Sequence, residues 1–238
     1  MPADGDVDVP LRGVVRIGMD RALRPRTVHR STVRVESGAV QSFLTLWFDP
    51  VDSTIGAASF GDGALVPSVT YRLVIEGVRD LDDRPLAEPF TAVFRTGAAD
   101  GEPYALPEAD WGEVEPILRG HCAGEGCHGP GAPALGLDLS SPEGVRATAI
   151  GAPSRQLPAG TSGGEGARGS LALAGLPIID LVGGEGRPGT SYLLYKAVGD
   201  PHALGEAMPP PVPGAPPPLS TVQLHRLSDW IRSGAPTE

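Results

Sequence analysis

The only two cysteines of this 238-residue chain stand five positions apart in His121-Cys122-Ala123-Gly124-Glu125-Gly126-Cys127-His128. On a helix, residues three apart share a face, whereas residues five apart point about 140° away from each other. Anything that engages both thiols therefore requires the four residues between them to loop out. Gly124 and Gly126 suit that loop, because glycine tolerates the unusual dihedrals of a bulge. The stretch ends in a Cys-His pair, which is how a covalently attached haem is held. In the common motif, C-x-x-C-H, two thiols add to the porphyrin vinyl groups and the histidine is carried beneath the iron. Here the spacer is four residues long.

Other chemistries compete for the same residues. A Cys122-Cys127 disulfide would close a very small loop and stabilise the fold by about 2 kcal/mol through chain entropy. Zinc requires four convergent ligands, but His121 and Cys122, like Cys127 and His128, are chain neighbours, and there is no second C-x-x-C or H-x-x-x-H pair. A redox centre of the thioredoxin type has the wrong spacing and lacks the surrounding alternation of strand and helix.

Haem iron needs a second axial ligand, and Met208 is the only methionine beyond Met19. It precedes Pro209, Pro210 and Pro211, which hold a loop extended and fix where the thioether points. The plain alternative for Met208 is filling a gap at the edge of a small core. His202 and His225 lie in the same half and are further candidates for the sixth position, whereas His121 is badly placed to reach the far side of an iron. His29 lies among Arg26 and Arg30 and reads as a surface residue. Ser220-Thr221-Val222-Gln223 forms a capping box, after which Leu224, Leu227, Trp230 and Ile231 recur on one helical face until Gly234 and Pro236.

The N-terminal half has a different texture. Short β-rich runs cover 14–20, 32–36, 43–48, 70–77 and 90–95, separated by turn residues, the signature of an antiparallel sandwich. Val15, Ile17 and Met19 alternate with Arg16 and Gly18, and Tyr71, Leu73 and Ile75 with Arg72, Val74 and Glu76, so one face is expected to be buried. The length and this change of texture predict two domains, 1–97 and 108–238, joined by a linker over 98–107 rich in Ala, Gly, Asp and Pro. A Gly-rich insertion is expected at about 151–175, followed by an apolar extended segment over 176–182.

In chain order, the C-terminal pieces are a helix over Trp111 to Arg119, Cys122-x4-Cys127-His128-Gly129, Gly136-Leu137-Asp138-Leu139, Arg187-Pro188-Gly189-Thr190 through Lys196, Met208-Pro209-Pro210, and Leu219-Ser220 through Ala235. In this order they resemble the single-haem cytochrome c domains found in bacterial envelope proteins. Asp20-Arg21-Ala22-Leu23, Leu65 through Tyr71, Val78-Arg79-Asp80 and Phe94-Arg95-Thr96-Gly97 resemble a bacterial Ig-like domain. The resemblances imply a multidomain fold: an all-β Ig-like sandwich followed by a mainly α cytochrome c-like domain. They further imply an exported one-electron carrier with a covalent haem c, in which Cys122 and Cys127 are thioether anchors, His128 is the proximal iron ligand and Met208 the distal one. The alternative is a haem-free envelope scaffold or interaction protein closed by a Cys122-Cys127 disulfide.

Two matches to G-x-G-x-x-G, at 164–169 and 184–189, lack a surrounding βαβ unit and read as loops. The acidic turn Asp80-Leu81-Asp82-Asp83 lacks the glycine and distant glutamate of a calcium loop and reads as a hairpin turn. No nucleophile with a positioned base stands out, so an electron-transfer protein is expected more than an enzyme. The net charge is −10, and residues 99–238 carry 16 acidic and 8 basic side chains. Such a surface repels nucleic acid and anionic lipid but suits a redox partner with a basic docking patch. No run of 18 apolar residues is present to span a membrane. Haem of this kind is attached outside the bacterial cytoplasm, yet Met1 to Asp6 has no secretory signal, so a periplasmic or envelope location implies a leader upstream of Met1.

Overall fold

The computed structural model describes residues 3–42, 44–58, 65–102, 104–131, 133–154, 172–211 and 213–238. The chain divides into two compact units, Met1–Ala105 and Leu106–Glu238.

The N-terminal unit is built from antiparallel strands. β1 (Val14–Gly18), β5 (Thr54–Ala58) and β4 (Thr45–Asp49) form one sheet in the order β1-β5-β4. β3 (Val40–Ser42), β2 (Val33–Ser37), β6 (Thr70–Ile75) and β7 (Phe90–Arg95) form the other in the order β3-β2-β6-β7. In the first sheet, the register sets Ile55 opposite both Ile17 and Phe48. These three side chains join Val33, Val35, Leu73, Ile75 and Phe94 of the second sheet in one core cluster. β5 is buried at all five positions, as the central strand of its sheet. At the acidic turn, Asp80 is buried: its carboxylate accepts the Asp82 and Arg84 backbone N–H groups at 3.0 and 2.9 Å and pairs with the Arg84 and Arg21 guanidinium groups at 2.8 and 3.3 Å. The turn is thus closed by its own arginines.

Among its described residues the C-terminal unit has the helices α1 (Trp111–His121), α2 (Pro142–Thr148), α3 (Tyr192–Val198) and α4 (Thr221–Arg232). Asp110 caps α1 by accepting the Glu113 N–H at 3.1 Å, and Ser220 and Gln223 form a complete capping box on α4. Trp111 and Trp230 pack with ring centroids 6.2 Å apart, and the Trp230 indole N–H donates to the Pro236 carbonyl at 2.9 Å. Two of the helices have only seven residues. Between them run turns, short 3-10 segments, a two-stranded ribbon of β8 (Leu181–Val182) and β9 (Glu185–Gly186), and isolated bridges such as Ile150 to Ile179.

The expected fold class is therefore corrected. Among the described residues the chain is mainly β, with three small sheets and four short helices, and the C-terminal unit is not a mainly α domain. The physical reason lies in its glycines and prolines. Helical periodicity survives only between them, and the backbone around Gly124, Gly126, Gly131 and Gly136, and from Gly199 to Pro218, cannot propagate a helix. Of the Gly-rich insertion expected at about 151–175, residues 155–171 lie outside the described residues, as does the first G-x-G-x-x-G match. No helix among the described residues is long and apolar enough to cross a membrane.

Candidate functional site

The cysteine loop is an extension of α1. Cys122 caps the helix, its N–H donating to the Leu118 carbonyl at 2.8 Å, and Ala123 donates to the same oxygen. The next residues leave the helix: Cys127 N–H reaches back to the Gly124 carbonyl at 3.0 Å, and His128 N–H to the Cys122 carbonyl at 3.0 Å. This last bond closes the loop and brings the histidine beside the first cysteine. Gly126 has φ +74°, a left-handed conformation that glycine adopts without strain. At Gly129 a Cβ would meet the Ala123 carbonyl oxygen at 2.6 Å, so a larger residue would force the loop apart. The Leu139 N–H donates to the His128 carbonyl at 2.8 Å and ties the loop to the segment leading into α2.

Three of the four expected site residues meet in one place. Cys122, His128 and Met208 line a cleft of about 120 Å³, together with Leu137, Leu139, Ile178, Tyr192, Leu193 and Lys196 among others. Cys127 is not part of this lining; it is exposed on the loop, and both thiols are free. His121, His202 and His225 do not line the cleft either. The His121 ring bonds the Pro217 carbonyl at 2.9 Å and Gln223 at 3.1 Å, and the His202 ring bonds Asp200 at 2.9 Å.

Burial sets the electrostatics. It pushes the Cys122 thiol up to about 12, with a smaller contribution from Cys127, so the group is a neutral thiol at physiological pH. A zinc-binding thiolate is disfavoured by the same environment. Burial also lowers the His128 imidazole, assisted by the Lys196 charge and opposed by the backbone of Leu137 and Ala134. The ring is thus kept uncharged. Its Nδ1 is buried and makes no hydrogen bond of normal geometry among the described residues. Lys196, 6% exposed, is itself lowered by burial, which the Glu206 carboxylate opposes.

Sequence reasoning did not single out Tyr192 or Lys196 as site residues. A signal for Lys196 is its being the only lysine of the chain, within the seven residues of α3.

No family model matches this chain, and no curated protein matches it. Among solved structures it is similar to the crystal structure of the S-layer protein rSbsC(31-844), with 13% identity and a TM-score of 0.30 over 45% of this chain and 14% of that one. The chain spans about a seventh of that structure's length, and the likeness is too slight to assign a fold. Among the described residues, no group of three or more His, Cys, Asp or Glu side chains converges to hold a metal ion. The resemblance to a bacterial Ig-like domain followed by a cytochrome c domain is corrected accordingly. Its motifs occur in the expected order, but neither a family match nor a metal-holding cluster accompanies them.

Proposed function

We propose that the C-terminal unit is a one-electron carrier that holds a single haem covalently, with Cys122 and Cys127 as thioether anchors, His128 as proximal ligand and Met208 as distal ligand. The observation that carries this reading is the convergence of Cys122 and His128, from one loop, with Met208, from a distant segment, on one cleft whose other walls are largely apolar. Three of the four residues the group would need line the cleft, and Cys127, the second anchor, stands exposed on the adjoining loop. A porphyrin has large apolar faces and brings four nitrogens of its own, so the protein need add only two axial donors. Leu135 lines the cleft and is 58% exposed, an apolar surface that a macrocycle would cover.

Bound there, haem supplies a reversible one-electron couple. The chain's own residues do the rest. Cys122 and Cys127 would hold the group through thioether bonds, each made by addition of S–H across a vinyl C=C with no net oxidation. Cys122, kept protonated by burial, starts in the thiol state that addition consumes. The uncharged His128 ring offers a lone pair, as ligation requires. A thioether from Met208 raises the reduction potential relative to a second imidazole. The apolar walls exclude water and set the local dielectric. Attachment of this kind takes place outside the bacterial cytoplasm, so the reading carries a periplasmic or envelope location with it. The acidic balance of residues 99–238 suits a redox partner with a basic docking patch.

The test is a pyridine haemochrome spectrum of the full chain, exported through a periplasmic signal in a host with haem-attachment machinery. A c-type spectrum that survives acid-solvent extraction is expected. Absence of haem absorbance, or haem that extracts freely, overturns the proposal.

A further inference from the structure

We infer that Lys196 is a positioning residue whose ammonium clamps the 204–208 loop and thereby fixes Met208 on the wall of the cleft; calling Met208 the distal ligand rests on the function proposed above. Lys196 is buried in α3 and itself lines the cleft. Its Nζ donates to the Leu204 carbonyl at 2.7 Å and to the Glu206 carbonyl. Its own backbone carbonyl accepts the Met208 N–H at 3.1 Å. One residue therefore grips the loop by its side chain at 204 and 206 and by its main chain at 208. Tyr192 shares the hold through the backbone of Leu204.

The chemistry accounts for a lysine here in a chain that otherwise uses arginine. The chain holds 19 Lys and Arg residues, and Lys196 is the one lysine. An ammonium presents three donors from a single compact atom and can serve two carbonyls of one turn, whereas a guanidinium spreads its donors over a rigid planar fork. The 204–208 segment has no helix or strand of its own. Placing Met208 thus depends on what its backbone is tied to. A charged donor on two backbone carbonyls of one turn is a strong form of such a tie.

The test is hydrogen exchange at the Met208 amide in the full chain without haem, comparing the native sequence with Lys196→Met, which keeps the stem and removes the donors. Exchange at Met208 is expected to speed up about tenfold to hundredfold, while the α1 and α4 amides keep their protection. Unchanged exchange at Met208 overturns the inference. If Lys196→Met loses protection across all four helices, Lys196→Gln, which retains a neutral donor, decides: loss confined to 204–208 supports the clamp, and uniform loss overturns it. In haem-loaded protein, Lys196→Met should keep the covalent haem but lose the absorption of methionine-ligated iron. Haem failing to attach to the native chain would sink the proposed function and leave the exchange result standing. Haem attaching with exchange unchanged would sink only the role of Lys196.

Discussion

In the N-terminal unit, Ile17, Phe48 and Ile55 of one sheet join Leu73, Ile75 and Phe94 of the other in one core cluster, and Val35, Leu44, Ala57 and Phe94 also line a cleft beside it. In the C-terminal unit, Leu139, Ile178 and Leu193 are buried yet form the wall of an open cleft, with a neutral imidazole, a thiol and a thioether set among them. The contrast follows from the local sequence. Strands that alternate over five or six residues deliver a large side chain to one face at every second position. Seven-residue helices separated by Gly- and Pro-rich turns deliver few, and a chain with only 5% aromatic residues has little to fill the remainder. One unit closes two sheets on each other; the other packs short helices and turns around a cleft that holds a thiol, an imidazole and a thioether.

The largest effect expected from a single change breaks the second unit and spares the first. Trp230 is fully buried, and Trp230→Ala should cost about 3 to 5 kcal/mol. Hydrogen exchange should then report lost protection in α1 and α4 with β2 and β6 unchanged; a drop in both units would show that they do not fold independently. Next comes Asp80. Burial pushes its carboxyl up, but the Arg84 backbone, the Arg84 guanidinium and Arg21 outweigh it and hold the carboxyl below its ordinary value of 3.8. Because the folded state binds the proton less readily than the unfolded state, this stability is fully present above pH 3.8 and is lost as pH falls through the folded value. Asp80→Asn should cost about 2 kcal/mol near neutral pH, with a shrinking penalty in acid, in denaturant melts followed through the N-terminal unit. A penalty independent of pH would assign the loss to packing instead.

A smaller effect is expected at the start of α4. Ser220→Ala removes half of the capping box and should cost about 1 kcal/mol, read as a shift of the second unit's denaturation midpoint. The smallest change in stability, under about 1 kcal/mol, is expected for the half-buried Met208→Ala, which should nonetheless leave haem attached and open its sixth position. An unaltered ligand-field spectrum in that variant would remove Met208 from the site.

What the sequence revealed followed from local pattern. The alternation at Val15 to Met19 and Tyr71 to Ile75 marks β1 and β6, and the capping box marks the start of α4. The four-residue spacer requires a loop, and Gly126 turns it at positive φ. β5 escaped because Thr54-Ile55-Gly56-Ala57-Ala58 is buried at every position and so shows no alternation. β3, three residues long at a sheet edge, left no periodic signal. The helical content of the C-terminal unit is lower than expected because the helices at 142–148 and 192–198 end after seven residues, the second at Gly199. Cys122, His128 and Met208, named from motif and spacing, line the cleft while Cys127 does not; Tyr192 and Lys196 line it without having been named, since a helical lysine ordinarily reads as a solvated charge. Only the tertiary arrangement turns it toward Leu204 and Glu206.

The most direct measurement is the intact mass of the exported native chain beside Cys122→Ser and Cys127→Ser, each made where haem-attachment machinery is present. One covalent haem is expected on the native protein, with attachment weakened or lost in each variant. A native mass lacking haem and lighter by two hydrogens would instead establish a Cys122-Cys127 disulfide, and the cleft would then belong to a haem-free scaffold.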